Sequence, residues 1–161
     1  MAGDVKIDVG ISTVIQAFHQ EINRYRDAKK EEKEKIKESF LKVKKVLDSS
    51  LIKVGLTEMF DGFHDPIKLR EYIPEIALEL NKVARETADF FPTDIYNGLN
   101  AISHKFVEFN KYASIMGMCN LQNPKNITPI PNNSSFQNNL TLKQLVEYLK
   151  ELRNTVELIE K

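Results

Sequence analysis

Apolar side chains recur along the first third of the chain at Ile11, Ile15, Phe18, Ile22 and Tyr25, and again at Ile36, Phe40, Val43 and Leu47. Steps of three and four residues are the α-helical period. At ~100° per residue, all nine fall within an arc of about 80°. No Gly or Pro stands between Ile11 and Val54. The pattern therefore predicts one very long N-terminal helix from Ile11 to Asp48, with Ser12 or Thr13 placed to cap its start. At 1.5 Å per residue such a helix would span ~57 Å, longer than a compact domain of this size needs.

The stripe has a gap. Lys29 and Lys33 stand where the apolar seam should continue, and Ala28 is the only apolar residue from Arg26 to Lys35. The helix is thus expected to be packed at its two ends and solvated in its middle. Glu31–Lys35 and Glu38–Lys42 are i,i+4 pairs that favour a solvated helix by a few tenths of a kcal/mol each.

Beyond Gly55 the elements shorten. Leu51 to Phe63 reads as a short helical or irregular segment ending at Asp61-Gly62. Asp65-Pro66 is a helix start, with Asp as cap and Pro in the first turn. The helical period then runs through Ile67, Leu69, Tyr72, Ile73, Ile76, Leu80, Val83 and Ala84, and Pro74 inside it should kink or divide the helix. Thr93 is placed to cap a further helix over Asp94–Met116, whose apolar face is Ile95, Leu99, Ile102, Phe106, Phe109, Ala113 and Met116. Gly117 is placed to end it.

Residues 118–139 differ in kind: they are rich in Asn and hold Pro124, Pro129 and Pro131, which predicts a long mobile loop. Thr141-x-x-Gln144 is a capping box, flanked by Leu140 and Leu145 as a hydrophobic staple. The last helix follows, with Leu142, Leu145, Leu149, Leu152, Val156 and Ile159 on one side. The whole pattern predicts an all-α fold and a single domain over residues 1–161. Its form is an antiparallel bundle of about four principal helices, with a very long N-terminal helix and a long Asn/Pro-rich loop before the last helix.

Composition adds limits more than direction. Lys plus Arg equals Asp plus Glu at 23 each, so whole-chain charge points neither to nucleic acid nor to an anionic membrane. The distribution is uneven: Arg24–Lys45 has ten basic residues against five acidic, and Val46–Asp94 has five against ten. Segments of net +5 and −5 are expected to attract within the fold or between chains. Cys119 is the only cysteine, which fits a reducing compartment. The polar start Met-Ala-Gly-Asp lacks the apolar core of a signal peptide, so a cytoplasmic location is expected. No stretch approaches the ~20 apolar residues of a membrane span.

Catalytic signatures are sparse. There is no glycine-rich phosphate loop, no Gly-x-Ser-x-Gly elbow, no His-Glu-x-x-His and no Glu-x-x-His pair. No Arg precedes a His by four to six residues, the spacing that all-helical RNases use. His19 reads as a surface residue. Asp61-x-x-His64 resembles two metal ligands but is also a common accident of loops. Cys119 follows a helix C-terminus, where the dipole disfavours a thiolate, so pairing with His104 as a nucleophile is not expected. The chain is read as having no catalytic residues, no metal site and no cofactor.

One surface row stands out. Arg26, Lys30, Lys33, Lys37 and Lys44 fall within about 60° on a helical wheel. Such a row can track a phosphate backbone, but acids are interleaved at Asp27, Glu31, Glu34 and Glu38, and no aromatic is placed for base stacking. The expected function is therefore a non-enzymatic interaction module or assembly subunit, contacting a protein partner or a second copy of itself. A helix end bearing Phe40, Leu41, Val43 and Leu47 is the surface anticipated for that contact. Nucleic-acid binding through the lysine row is the alternative, and a third reading is an enzyme or small-ligand binder with a polar site near His64 or His104.

Overall fold

A computed structural model of the chain describes the backbone of residues 2–122, 128–134 and 141–161, and the side chains of residues 11–116, 128–134 and 141–161. The long N-terminal helix is divided in two: α1 (Ala2–Asp27) and α2 (Lys30–Leu56). Between them Lys29 takes φ −72°, ψ 160°, an extended conformation open to any residue, and it caps α2 with no side-chain hydrogen bond. The break reverses the chain. Phe18 and Phe40 would stand ~33 Å apart on a continuous helix, yet their ring centroids are 5.5 Å apart.

Helix propensity alone would carry the chain through Ala28-Lys29. Tertiary burial overrides it, because most helical stability in proteins comes from packing an amphipathic face. Folding back sets the two apolar halves against each other. Phe18, Phe40 and Phe91 form a triangle of edge-to-face contacts, with the remaining centroid separations 5.8 and 5.2 Å. Such pairs add ~1 kcal/mol each beyond their buried area. Arg24 fastens the turn. It donates to Glu21 Oε2 at 2.8 and 3.0 Å, to Glu32 Oε1 at 2.9 Å and to the Phe90 carbonyl at 2.9 Å. The gap in the apolar stripe therefore marks a reversal, and its exposed residues sit at a corner.

The rest of the molecule comprises α3 (Pro66–Glu86), α4 (Thr93–Gln122), α5 (Leu142–Glu157) and a terminal 3₁₀ turn, Leu158–Glu160. Asp65 caps α3, accepting from the amides of Ile67 at 2.8 Å and Lys68 at 3.4 Å. Pro74 does not divide α3, which runs on to Glu86. The capping box at α5 is formed as its spacing predicts, Thr141 and Gln144 each receiving the other's backbone N–H.

Partner residues rise on one helix as they fall on the next in the pairs α3/α4, α2/α3 and α2/α5, which are therefore antiparallel. Ser103 and Asn100 of α4 meet Ala77 and Asn81 of α3. Lys53 and Ser49 of α2 meet Glu75 and Glu79 of α3, and Lys44 and Asp48 of α2 meet Glu160 and Arg153. The core between them holds Phe18, Phe40, Leu47, Leu69, Leu80, Leu99, Phe106, Leu145, Leu149 and Leu152, all fully or nearly fully buried. One glycine sets the spacing of α1 on α4. A Cβ built on Gly98 would overlap Val14 Cγ2 and stand 2.9 Å from Val14 Cβ, closer than atoms pack, with Cγ1 tight at 3.1 Å.

The chain is not purely helical. A small antiparallel sheet of order β1-β2-β3 joins Glu58–Phe60, Phe63–His64 and Ile130–Pro131. Gly62 takes φ 76° in the tight turn between the first two strands, the left-handed region that glycine enters without a Cβ penalty. Its carbonyl accepts from Asn132 at 2.8 Å. The segment expected as a loop, residues 118–139, thus gives its first part to α4 and Ile130–Pro131 to β3. Gly117 does not end α4. Residues 123–127 and 135–140, with Leu140 of the expected staple and the side chain of Cys119, lie outside the described residues. Among the described residues no helix is long and apolar enough to cross a membrane.

Candidate functional site

Two faces of α2 are apolar. Ile36, Phe40, Val43, Leu47 and Val54 point inward and are buried. Leu41, Ile52 and Leu56 lie on the opposite side and remain 39, 64 and 52% exposed. At ~100° per residue the centres of these stripes are about 160° apart, so no rotation of α2 buries both. Of the residues anticipated for partner contact, Phe40, Val43 and Leu47 are core and only Leu41 is available. The hydrophobic pattern could not separate them, because Leu41 adjoins the buried set in sequence.

The outer stripe forms a shallow groove of about 600 Å³, floored by α2 and walled on one side by Tyr72 of α3. Its rim is charged. Lys53 reaches Glu79 and Glu75 across α3; burial lowers its pKa, but the Glu79 bond and the two negative charges outweigh this and raise it. On the other side Asp48 accepts from Arg153 Nε at 2.8 Å, a bond that holds the guanidinium charged. Lys44 is likewise held above its usual range by its 2.7 Å bond to Glu160. Lys45 has no ion-pair partner among the described residues.

The basic row does not lie along one helix. Arg26 ends α1, whereas Lys30, Lys33, Lys37 and Lys44 belong to α2. The reversal brings Arg26 and Lys37 together again, beside the Leu158–Lys161 C-terminus, at a cavity of about 250 Å³. Lys33 sits 5.6 Å over the Tyr25 ring, a cation–π contact. Among the described residues, no ion pair joins a base of the Arg24–Lys45 segment to an acid of Val46–Asp94. The expected attraction between those blocks inside one chain is not realised as ion pairs.

The histidines separate clearly. His19 and His104 are exposed, and His64 is 5% exposed at the wall of a cavity of about 440 Å³. Thr57, wholly buried, holds it: Thr57 Oγ1 donates to the Val54 carbonyl at 2.6 Å and lies 2.8 Å from His64 Nδ1. A hydroxyl has one proton, and Val54 takes it. With the hydroxyl proton directed to the Val54 carbonyl, Nδ1 carries the ring proton and donates, and Nε2 is the acceptor. Burial lowers the His64 pKa, opposed by the charge of Glu58, so the neutral ring is favoured. Glu58, Asp61, Glu147, Lys143 and Lys150 line the same cavity. A neutral imidazole there can accept a proton or a hydrogen bond from a small polar molecule. Among the described residues no group of three or more His, Cys, Asp or Glu could hold a metal ion, so Asp61 and His64 are not part of one.

No family model, no curated protein and no solved structure matches this chain.

Proposed function

We propose that the protein is a non-enzymatic helical interaction module, or an assembly subunit, that works by seating an apolar helix on the outer face of α2. The observation that carries this reading is the exposed apolar stripe Leu41, Ile52 and Leu56 on the side of α2 opposite its buried face. An apolar stripe in a groove with a charged rim is the form that helix-in-groove recognition takes. Nucleic-acid binding along Arg26, Lys30, Lys33, Lys37 and Lys44 has less in its favour. Arg26 stands on a different helix, and Lys44 is already paired with Glu160. The proposed site is a surface for a polypeptide, with no cofactor.

Site-specific photocrosslinking tests it. A benzophenone amino acid is placed at Ile52, and for comparison at Val107, which is exposed on α4, in the full chain in the cells that make it. Irradiation should give a discrete polypeptide adduct from position 52 and none from position 107. Equal labelling from both positions, or none from either, would overturn the reading.

A further inference from the structure

The outer stripe of α2 has a spacing that reads the same from both ends and charges that exchange sign on reversal. Leu41, Lys45, Asp48 and Ile52 follow one another at steps of four, three and four residues. Their pattern is apolar, positive, negative, apolar, and all four line the groove. On a helix they fall within about 60° of arc. We infer that the occupant of this groove is a second copy of the same chain, its α2 lying antiparallel on the first across a two-fold axis between Val46 and Leu47. The inference rests on the reading of α2 as a docking face and names what docks there.

The geometry follows from the spacing. In that register Leu41 of one copy faces Ile52 of the other, and Lys45 faces Asp48, so each contact occurs twice, as a two-fold interface requires. A parallel pairing would set Lys45 against Lys45 and Asp48 against Asp48, which is repulsive. The charged groups are ready for the antiparallel arrangement. Lys45 is exposed and without an ion-pair partner among the described residues, while Asp48 is steadied by Arg153 through Oδ1 and keeps its side chain 40% exposed. Leu56 and Tyr72 extend the apolar contact at either end. A formal net charge of zero at pH 7 removes the long-range repulsion that keeps many small proteins apart. The face of one helix is smaller than the ~800 Å² per partner of a standard interface, so the association is expected to be weak, micromolar or weaker.

Sedimentation velocity on the full chain, from micromolar to near-millimolar concentration, reads the outcome. The weight-average mass should rise from 18.6 kDa toward twice that value. Ile52→Asp should weaken association about a hundredfold by placing a carboxylate in the apolar contact. Lys45→Glu, which sets two acids face to face, should weaken it roughly tenfold. Both positions are exposed, so circular dichroism should be unchanged. Orientation is read by disulfide capture in chains carrying Cys119→Ser. A mixture of Leu41→Cys and Ile52→Cys chains should crosslink, and neither chain alone should, because like positions stand ~16 Å apart along the axis, beyond the ~7 Å reach of a disulfide. A dimer that survives both Ile52→Asp and Lys45→Glu, or that crosslinks Leu41→Cys to itself, overturns the inference. So does a constant monomer mass. In that last case a position-52 photoadduct to another protein would leave the docking-face reading standing, and absence of any adduct would end both.

Discussion

Replacing Gly98 with Ala sets two magnitudes of opposite sign against each other. Gly98 lies inside α4, where glycine costs about 1 kcal/mol relative to alanine through backbone entropy. On sequence alone Gly98→Ala should stabilise the protein by that amount. The tertiary contact reverses the sign. The new methyl would overlap Val14 Cγ2 outright and stand 2.9 Å from its Cβ and 3.1 Å from its Cγ1, so α1 must move off α4 or Val14 must leave its rotamer. Val14 is 2% exposed and hemmed in by the core, which leaves little room to yield. Overpacking of this kind costs about 1–3 kcal/mol, enough to cancel or exceed the helix-propensity gain. With branched Cγ carbons this close, the upper part of that range applies, and a net destabilisation of roughly 1–2 kcal/mol is expected. Val14→Ala alone should cost about 2 kcal/mol by opening a cavity. In the double variant the added methyl occupies the space that was vacated, so the losses should fall short of additive by at least about 1 kcal/mol. Urea unfolding followed by far-ultraviolet circular dichroism measures all four proteins. A Gly98→Ala variant as stable as the parent or more so, or a cycle that closes with no coupling, would refute the close approach of α1 and α4.

Two further perturbations probe the reversal and the buried histidine. Arg24→Ala should destabilise by about 2 kcal/mol, since it strips a hydrogen-bonded partner from Glu21, which is only 6% exposed. Arg24→Lys should recover part of the loss, and hydrogen exchange should quicken first around residues 24–33. Uniform exchange across α1 and α2 would contradict the role of Arg24 as the fastening of the turn. His64 predicts a pH dependence. Above its ordinary pKa of 6.5 the ring is neutral in folded and unfolded chains alike, and the folded state has its full stability. As pH falls below 6.5, the unfolded chain takes up a proton that the folded chain resists, so stability declines. His64→Gln should flatten the stability curve between about pH 7 and 5, above the range where most carboxylates titrate. An unchanged slope in that variant would show that His64 is not the group responsible.

Much of the local structure is legible residue by residue. The period of three and four located α3, α4 and α5 and the inward faces of α1 and α2, though not the break between those two, and Asp65-Pro66 and Thr141-x-x-Gln144 marked two helix starts that form as expected. These are short-range features: a cap or a period is decided within a few residues, and the chain carries that information locally. The inward stripe of α2 was visible for the same reason. Gly117 does not end α4 and Pro74 does not divide α3, because a breaker residue stops a helix only where the surrounding packing permits it.

What tertiary structure decided were the features that depend on distant partners. The split at Ala28-Lys29 has no local breaker, and it exists because Phe18, Phe40 and Phe91 gain more from meeting than one helical turn gains from continuing. The sheet pairs strands of two and three residues, too short to announce themselves, across more than sixty positions of chain. The candidate site divides the same way. The apolar and charged residues of α2 can all be read in order, but which of Phe40, Leu41, Val43 and Leu47 would remain outside depended on where α3 and α5 came to lie. Likewise His64 became a buried, neutral acceptor only when Thr57 and the cavity wall closed on it. A sequence determines which faces are apolar; only the assembled fold determines which of those faces is left uncovered.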